Sequence, residues 1–329
     1  MADEWVMQLQ RLNGRLSGEL SDERLGDRTQ RRETLRQIGE LRPLNRLNGE
    51  ALAGRFEDRL LVGVDGTINS FGSHFPYYVD FLRALAKPSR GEGISLKDIH
   101  CPLPPEDEAE AEIALRNDNE VRQRKLANLE VQAALAAIDA YRPAVILMDG
   151  PLVRFDMRTK ESFSILREKV IQENILLAGC IENIESKVIA SVMGDALPSG
   201  WRNRYDRDLL WRVLDYGEVL EVARPAKGTA RQGQDADTAT RIRTWFMQSS
   251  REPGVVGLDL LEEQAAAGVS WLADYLFTIS PADGRGIPIW LDLVDREVRL
   301  THAELEAYVQ LLDPQVRRVF ASKRDARFF

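Results

Sequence analysis

The sequence has only two cysteines, Cys101 and Cys180, and only three histidines, His74, His100 and His302. Two cysteines exclude a disulfide framework or a zinc ribbon, and they suit a reducing cytoplasm. The histidines do not form a metal-ligand spacing, which leaves carboxylates as the main candidate ligands for any cation. No run of about 18 uncharged apolar residues occurs, so no segment is suited to span a membrane. The first twenty residues include Asp3, Glu4, Arg11 and Arg15, a pattern foreign to a secretory leader. There is no Walker loop and no GxGxxG, so the chain is not expected to bind ATP or NAD itself. Positive charge is in deficit: 44 Lys and Arg stand against 52 Asp and Glu, for a net charge of −8. A surface that grips nucleic acid broadly needs clustered cations. If DNA is the substrate, a narrow channel or a partner protein must supply much of the attraction.

What is present is a pair of apolar runs that each end in Asp-Gly. The first is Leu60-Leu61-Val62-Gly63-Val64-Asp65-Gly66-Thr67; the second is Ala144-Val145-Ile146-Leu147-Met148-Asp149-Gly150-Pro151. Each reads as a buried strand that delivers one carboxylate to the rim of a sheet and then turns. Two such strands can set Asp65 and Asp149 side by side, where a divalent cation is the simplest relief of their repulsion. Taken singly, either Asp-Gly is also an ordinary turn signal.

Residues 4–22 place Trp5, Leu9, Leu12, Leu16 and Leu20 at helical steps, and a second helix is expected over 28–41 with Leu35, Ile38 and Leu41 on one side. They form an N-terminal helical extension, residues 1–50, suited to dimerisation, to partner docking or to covering the core. Residues 68–78 read as strands turning back, 88–105 as a long proline-containing loop, and 106–141 as a long, highly charged helix or helix pair. In that helix Glu130 lies on a stripe with Leu126 and Ala134. An unpaired inward carboxylate costs on the order of several kcal/mol. Glu130 is therefore expected to pair with an arginine such as Arg122 or Arg124, to sit exposed at the stripe's edge, or to bind a metal. Further on come a helix at 160–173, strands at Ile175–Ile181 and Val188–Met193, and a helix at Tyr205–Leu214. A flexible loop at 224–239 precedes an antiparallel pair, Arg241–Gln248 with Val255–Leu260, and a strand at Ile287–Val294. Thr301-His302-Ala303-Glu304 is a capping box that opens a final helix. The main domain is expected over 51–312, with a tail at 313–329 that ends in Phe328 and Phe329.

The order of acid-bearing elements is that of an α/β, ribonuclease H-like fold, a mixed β-sheet flanked by helices. The chain resembles the NurA family of nucleases in Val62-Gly63-Val64-Asp65-Gly66-Thr67, in the Glu130 helix and in Val145 to Leu152. It does so again in Asp206-Arg207-Asp208-Leu209-Leu210 with Tyr216-Gly217-Glu218, and in Ile287-Pro288-Ile289-Trp290-Leu291. The resemblance covers about 50 to 310. It implies a manganese- or magnesium-dependent DNA nuclease with 5′ to 3′ exonuclease and single-strand endonuclease activity. It further implies a homodimer docked on a HerA-type hexameric DNA-translocating ATPase, serving DNA end processing in repair or antiviral defence. Asp65, Glu130 and Asp149 fall on the family's metal-binding acids. The family's late histidine, seven residues after its proline, is Asp295 here, and the tyrosine before that proline is Ile287. The lysine often found in the strand after the second Asp-Gly is absent, with Glu182 near its place and Lys187 farther along. These departures support a second reading, a catalytically degenerate assembly or regulatory subunit of the ATPase.

Phosphodiester hydrolysis requires charge stabilisation on the attacking and leaving oxygens, which a pair of divalent ions supplies. Asp65 is assigned as the bridging ligand, Glu130 and Asp149 as flanking ligands, and Asp295 as a ligand of the second ion. Aspartate in place of an imidazole makes the set all-oxygen and shifts its preference toward magnesium. Asp295 is also placed to pair with Arg296 or Arg299. Arg154 and Lys160 are placed to meet the DNA backbone and His74 to approach a phosphate, while His302 is expected to face solvent. RNA or a hybrid duplex is a further substrate reading, because no reader of the 2′-hydroxyl is identifiable.

Overall fold

The apolar runs resolve into nine strands among the described residues: β1 (Gly39–Pro43), β2 (Leu61–His74), β3 (Tyr77–Pro88), β4 (Ile94–His100), β5 (Val145–Asp149), β6 (Leu176–Ile181), β7 (Glu218–Val222), β8 (Ile242–Gln248) and β9 (Val256–Leu261). The principal helices are α1 (Glu4–Glu19), α2 (Arg28–Leu35), α3 (Glu108–Tyr141), α4 (Leu152–Arg158), α5 (Lys160–Gln172) and α6 (Ile289–Val298). The structure, a computed structural model, describes residues 3–21, 25–54, 59–102, 108–223, 241–267 and 269–321. The loop expected at 224–239 and the end of the tail, with Phe328 and Phe329, lie outside the described residues. Two compact units form, one from Met1–Leu52 and Gly179–Pro288, the other from Ala53–Ala178 and Ile289–Phe329.

In the second unit the strands run in the order β5-β2-β3-β4. β2 and β3 make a long antiparallel hairpin that sets Asp65 opposite Leu85, and β4 adds antiparallel to β3. β5 returns parallel to β2, with Leu61 opposite Val145 and Val64 opposite Met148. Three antiparallel strands, a long helix and a strand parallel to the first give the ribonuclease H-like order implied by the sequence. Val145, Ile146, Leu147 and Met148 are all fully buried, which is why β5 reads as an unbroken apolar run rather than an alternating one.

Two expectations fail here for identifiable reasons. The stretch 88–105 is not all loop, because Ile94–His100 pairs along β3 from Ala86 to Asp80 as β4. The strand expected at Ile287–Val294 is instead helix α6. Its Leu291, Val294 and Val298 fall at three- and four-residue steps and form one buried stripe, so the apolar run has a helical period.

In the first unit β1, β7, β8 and β9 are successively antiparallel. Leu35, Trp201, Leu209, Val213 and Phe246 belong to its core. The helix expected over 28–41 stops at Leu35, since Gly39–Pro43 pairs with β7 as β1. The strand expected at Val188–Met193 is a helix. Its first N–H groups are claimed by Asp206, which is fully buried and accepts from the backbone of Val188 (2.7 Å) and Ile189 (3.0 Å) and from the Ser186 hydroxyl (2.5 Å). Helix Asp206–Leu210 is correspondingly shorter than the one expected over 205–214. Glu218 takes both ends of the Arg32 guanidinium at 2.6 Å. Part of the Asp206 to Glu218 motif is thus a structural anchor. α1 buries none of its residues, so it does not cover the core; Trp5 is 77% exposed, and Leu9, Leu12 and Leu16 are exposed as well.

Candidate active site

The β2–β5 register ends at Val64 opposite Met148, so the next residue on each parallel strand, Asp65 and Asp149, come out side by side. Asp65 is 5% exposed and Asp149 is half-buried. Successive residues of a strand face opposite sides, which puts Gly63 with Asp65 on one face of β2 and Gly66 on the other. At Gly66 a Cβ would lie 2.8 Å from Leu126 Cδ1, 2.9 Å from Glu130 Cγ and 3.0 Å from Glu130 Oε1. Only glycine lets α3 lie this close and bring the buried Glu130 carboxylate against the strand. On the other face, a Cβ at Gly63 would lie 2.9 Å from Val294 Cγ2, so α6 crosses there and carries Asp295 next to Val294. The four predicted acids therefore come from four elements of one unit.

Their fields overlap. Burial, then the charges of Asp149 and Glu130, push the Asp65 carboxyl up to about 8; the Gly66 N–H, 2.7 Å from Oδ1, opposes this, and Asp295 adds to the rise. Burial pushes Glu130 up to about 7, with Arg154 pulling down and Asp149 pushing up. Arg154 donates through Nη2 to Glu130 Oε2 at 2.9 Å and to the Asp149 carbonyl at 3.0 Å. Asp295 is held by Arg299 through contacts of 2.7 and 2.8 Å, one of the two pairings open to it in the sequence.

Among the described residues no three His, Cys, Asp or Glu stand close enough together to hold an ion. Glu130 and Asp295 are turned to guanidinium groups instead. The donor chemistry fits a hard divalent cation all the same: the set is all oxygen, and its buried acids repel one another until they are protonated or neutralised.

The other sequence expectations are met unevenly. Arg122 pairs with the fully buried Asp80 at 2.5 and 3.0 Å, not with Glu130. Arg154, expected at the DNA backbone, is the partner of Glu130. His74 lies edge-on to the Tyr77 ring, Glu182 pairs with Arg285 at 2.8 Å, and His302 is exposed in the first turn of its helix. Arg154 as a counterion was missed, and its place five residues after Asp149 was the only signal for it.

A pH dependence follows. The raised carboxyls hold protons in the fold that they would release in the unfolded chain between about pH 4 and pH 8. Their contribution to stability is present at the acid end and is lost as pH rises through about 7 to 8. At about 1.4 kcal/mol per pK unit, the loss is on the order of a few kcal/mol. Denaturant unfolding in chelator at about pH 5 and about pH 9 measures it, and the Asp65→Asn variant should show a flatter profile. An identical profile in wild type and variant would refute the account.

A model of the NurA domain matches residues 59–300. No curated protein matches the chain in sequence. The solved structure of the NurA nuclease from Sulfolobus solfataricus is similar, with 13% identity, a TM-score of 0.59, and 97% of this chain and 98% of that chain covered. Endonuclease V from Ciona intestinalis, solved with an inosine-containing DNA, has 12% identity and a TM-score of 0.34 over 85% of this chain and 96% of that one. The human endonuclease V catalytic domain has 12% identity and a TM-score of 0.33 over 85% and 94%. With the domain matched over 59–300 and a nuclease's fold shared along nearly its whole length, the chain belongs to the NurA family of nucleases.

Proposed function

We propose that this chain is a divalent-metal-dependent DNA nuclease, with Asp65, Glu130 and Asp149 as its catalytic acids. The observation that carries this reading is the crowding of buried Asp65 by Asp149, Glu130 and Asp295. Asp65, Glu130, Asp149 and Asp295 would hold Mn²⁺ or Mg²⁺. Bound there, a pair of ions supplies charge stabilisation to the attacking and leaving oxygens of the phosphodiester. Asp65 and Glu130 must give up their protons to act as ligands, so cation affinity rises with pH. α3 and α6 fix the acids from the two faces of β2, and Gly66 keeps Glu130 within reach of that strand.

Family membership supports the finer reading of 5′ to 3′ exonuclease and single-strand endonuclease activity in DNA end processing, for repair or antiviral defence. In the same reading the chain is a cytoplasmic homodimer on a HerA-type hexameric ATPase. The exposed apolar stripe of α1 suits contact with a second copy. A net charge of −8 is compatible with a motor ring that supplies the grip on DNA. The alternative, a degenerate assembly subunit of that ATPase, is favoured by the pairing of Asp295 with Arg299.

End-labelled DNA incubated with the protein and Mg²⁺ or Mn²⁺, with and without the ATPase, separates the two. Degradation by the wild type that is lost in Asp149→Ala supports the nuclease. Undiminished degradation by the variant, or none by the wild type under any condition, overturns it.

A further inference from the structure

The ion pairs of this protein differ in how many donors they use. Arg32 grips Glu218 through two nitrogens at 2.6 Å each, Arg243 grips Glu262 at 3.0 and 2.6 Å, and Arg299 grips Asp295 through two nitrogens at 2.7 to 3.1 Å. Arg154 meets Glu130 through Nη2 alone, and that nitrogen is shared with the Asp149 carbonyl. Its Nε is buried without a hydrogen-bond partner. A two-pronged guanidinium–carboxylate contact is the strong, geometrically fixed form, and Arg154 lacks it. It is the weakly held cation in the middle of the acidic cluster.

Resting on the metal-dependent nuclease reading, we propose that Arg154 is an exchangeable counterion. It neutralises Glu130 in the absence of a divalent cation, is displaced when Glu130 and Asp149 take the cation, and then binds a phosphate of the DNA. One Arg154 contact is on the Glu130 carboxylate assigned to that cation and the other is on the backbone carbonyl of Asp149, so guanidinium and metal ion would compete for the Glu130 carboxylate and repel each other. The side chain has somewhere to go. It is 24% exposed, and its Cζ lies 4.4 Å from the Phe155 ring centroid, a support that does not depend on Glu130. A released guanidinium beside the cluster presents a planar fork to an anion, the geometry that suits phosphate. Loading the cation thereby switches on a contact to the substrate, and the two binding events become linked.

The test is the binding of a labelled single-stranded oligonucleotide by fluorescence anisotropy in chelator and in Ca²⁺, with Mn²⁺ binding followed by electron paramagnetic resonance. Wild type should bind DNA about tenfold or more tighter with Ca²⁺. Arg154→Ala should match wild type in chelator, lose about tenfold of the Ca²⁺-dependent gain and still bind Mn²⁺, and Arg154→Lys should recover part of the gain. Equal weakening with and without Ca²⁺ would mean a permanent DNA contact and overturn the exchange. An unchanged Ca²⁺-dependent gain, or loss of Mn²⁺ binding in Arg154→Ala, would make Arg154 a fixed structural counterion and overturn it equally. If wild type itself binds no Mn²⁺, the metal-site reading falls first and the exchange falls with it.

Discussion

Replacing Asp65 with asparagine is expected to remove DNA hydrolysis while making the cation-free protein more stable above pH 7. The substitution keeps the side chain's size and its place on β2 but deletes a charge that burial, Asp149, Glu130 and Asp295 all disfavour. Activity should fall by about 10³-fold or more, the scale on which individual catalytic groups act. Stability in chelator at about pH 8.5 should rise by about 1–3 kcal/mol, because a destabilised group is tolerated at a functional site for what it does there. Added Mn²⁺ should then stabilise the variant less than the wild type, since one ligand is gone. A variant that is less stable than wild type at that pH, or that still cleaves DNA at the wild-type rate, would contradict the assignment.

The largest loss of stability is expected at Asp206, in the other unit. This carboxylate is fully buried and accepts from Ser186, Val188 and Ile189. Asp206→Ala leaves those donors unmatched away from water, at a cost of about 3–5 kcal/mol. Asp206→Asn, which keeps one acceptor oxygen, should lose about half as much. Denaturant midpoints at neutral pH measure both. A cost below about 1 kcal/mol for the alanine variant would mean that solvent reaches these donors and that the site is not the anchor described. The two experiments separate the kinds of acid in this chain. Asp65 is crowded by like charge and gains stability when neutralised, whereas Asp206 is surrounded by donors and loses it.

The elements that carry Asp65, Asp149 and Glu130 were legible because their signals are local and strong. β5 is an unbroken apolar run, as a strand buried on both faces must be, and α3 is a long charged stretch with no glycine or proline to break a helix. The capping box at Thr301 is equally local, with its hydroxyl and Glu304 exchanging hydrogen bonds as written in the sequence. Val188–Met193 was misread as a strand because a short apolar run without a clear period fits either state, and Ile287–Val294 because the helical period of its run is complete only when it is followed on to Val298. A buried carboxylate at 206 and a buried stripe on α6 decided both, and each depends on residues brought from elsewhere in the chain.

The sequence by itself determined which strands end in an acid, in what order the acids occur, and that no sulfur or imidazole cluster competes with them. Tertiary structure alone decided that Glu130 meets Arg154 and not Arg122, that Arg122 goes to Asp80, and that the Asp65 carboxyl rises to about 8. Coulomb energy and desolvation depend on distance through space and on burial, and neither is set by separation along the chain.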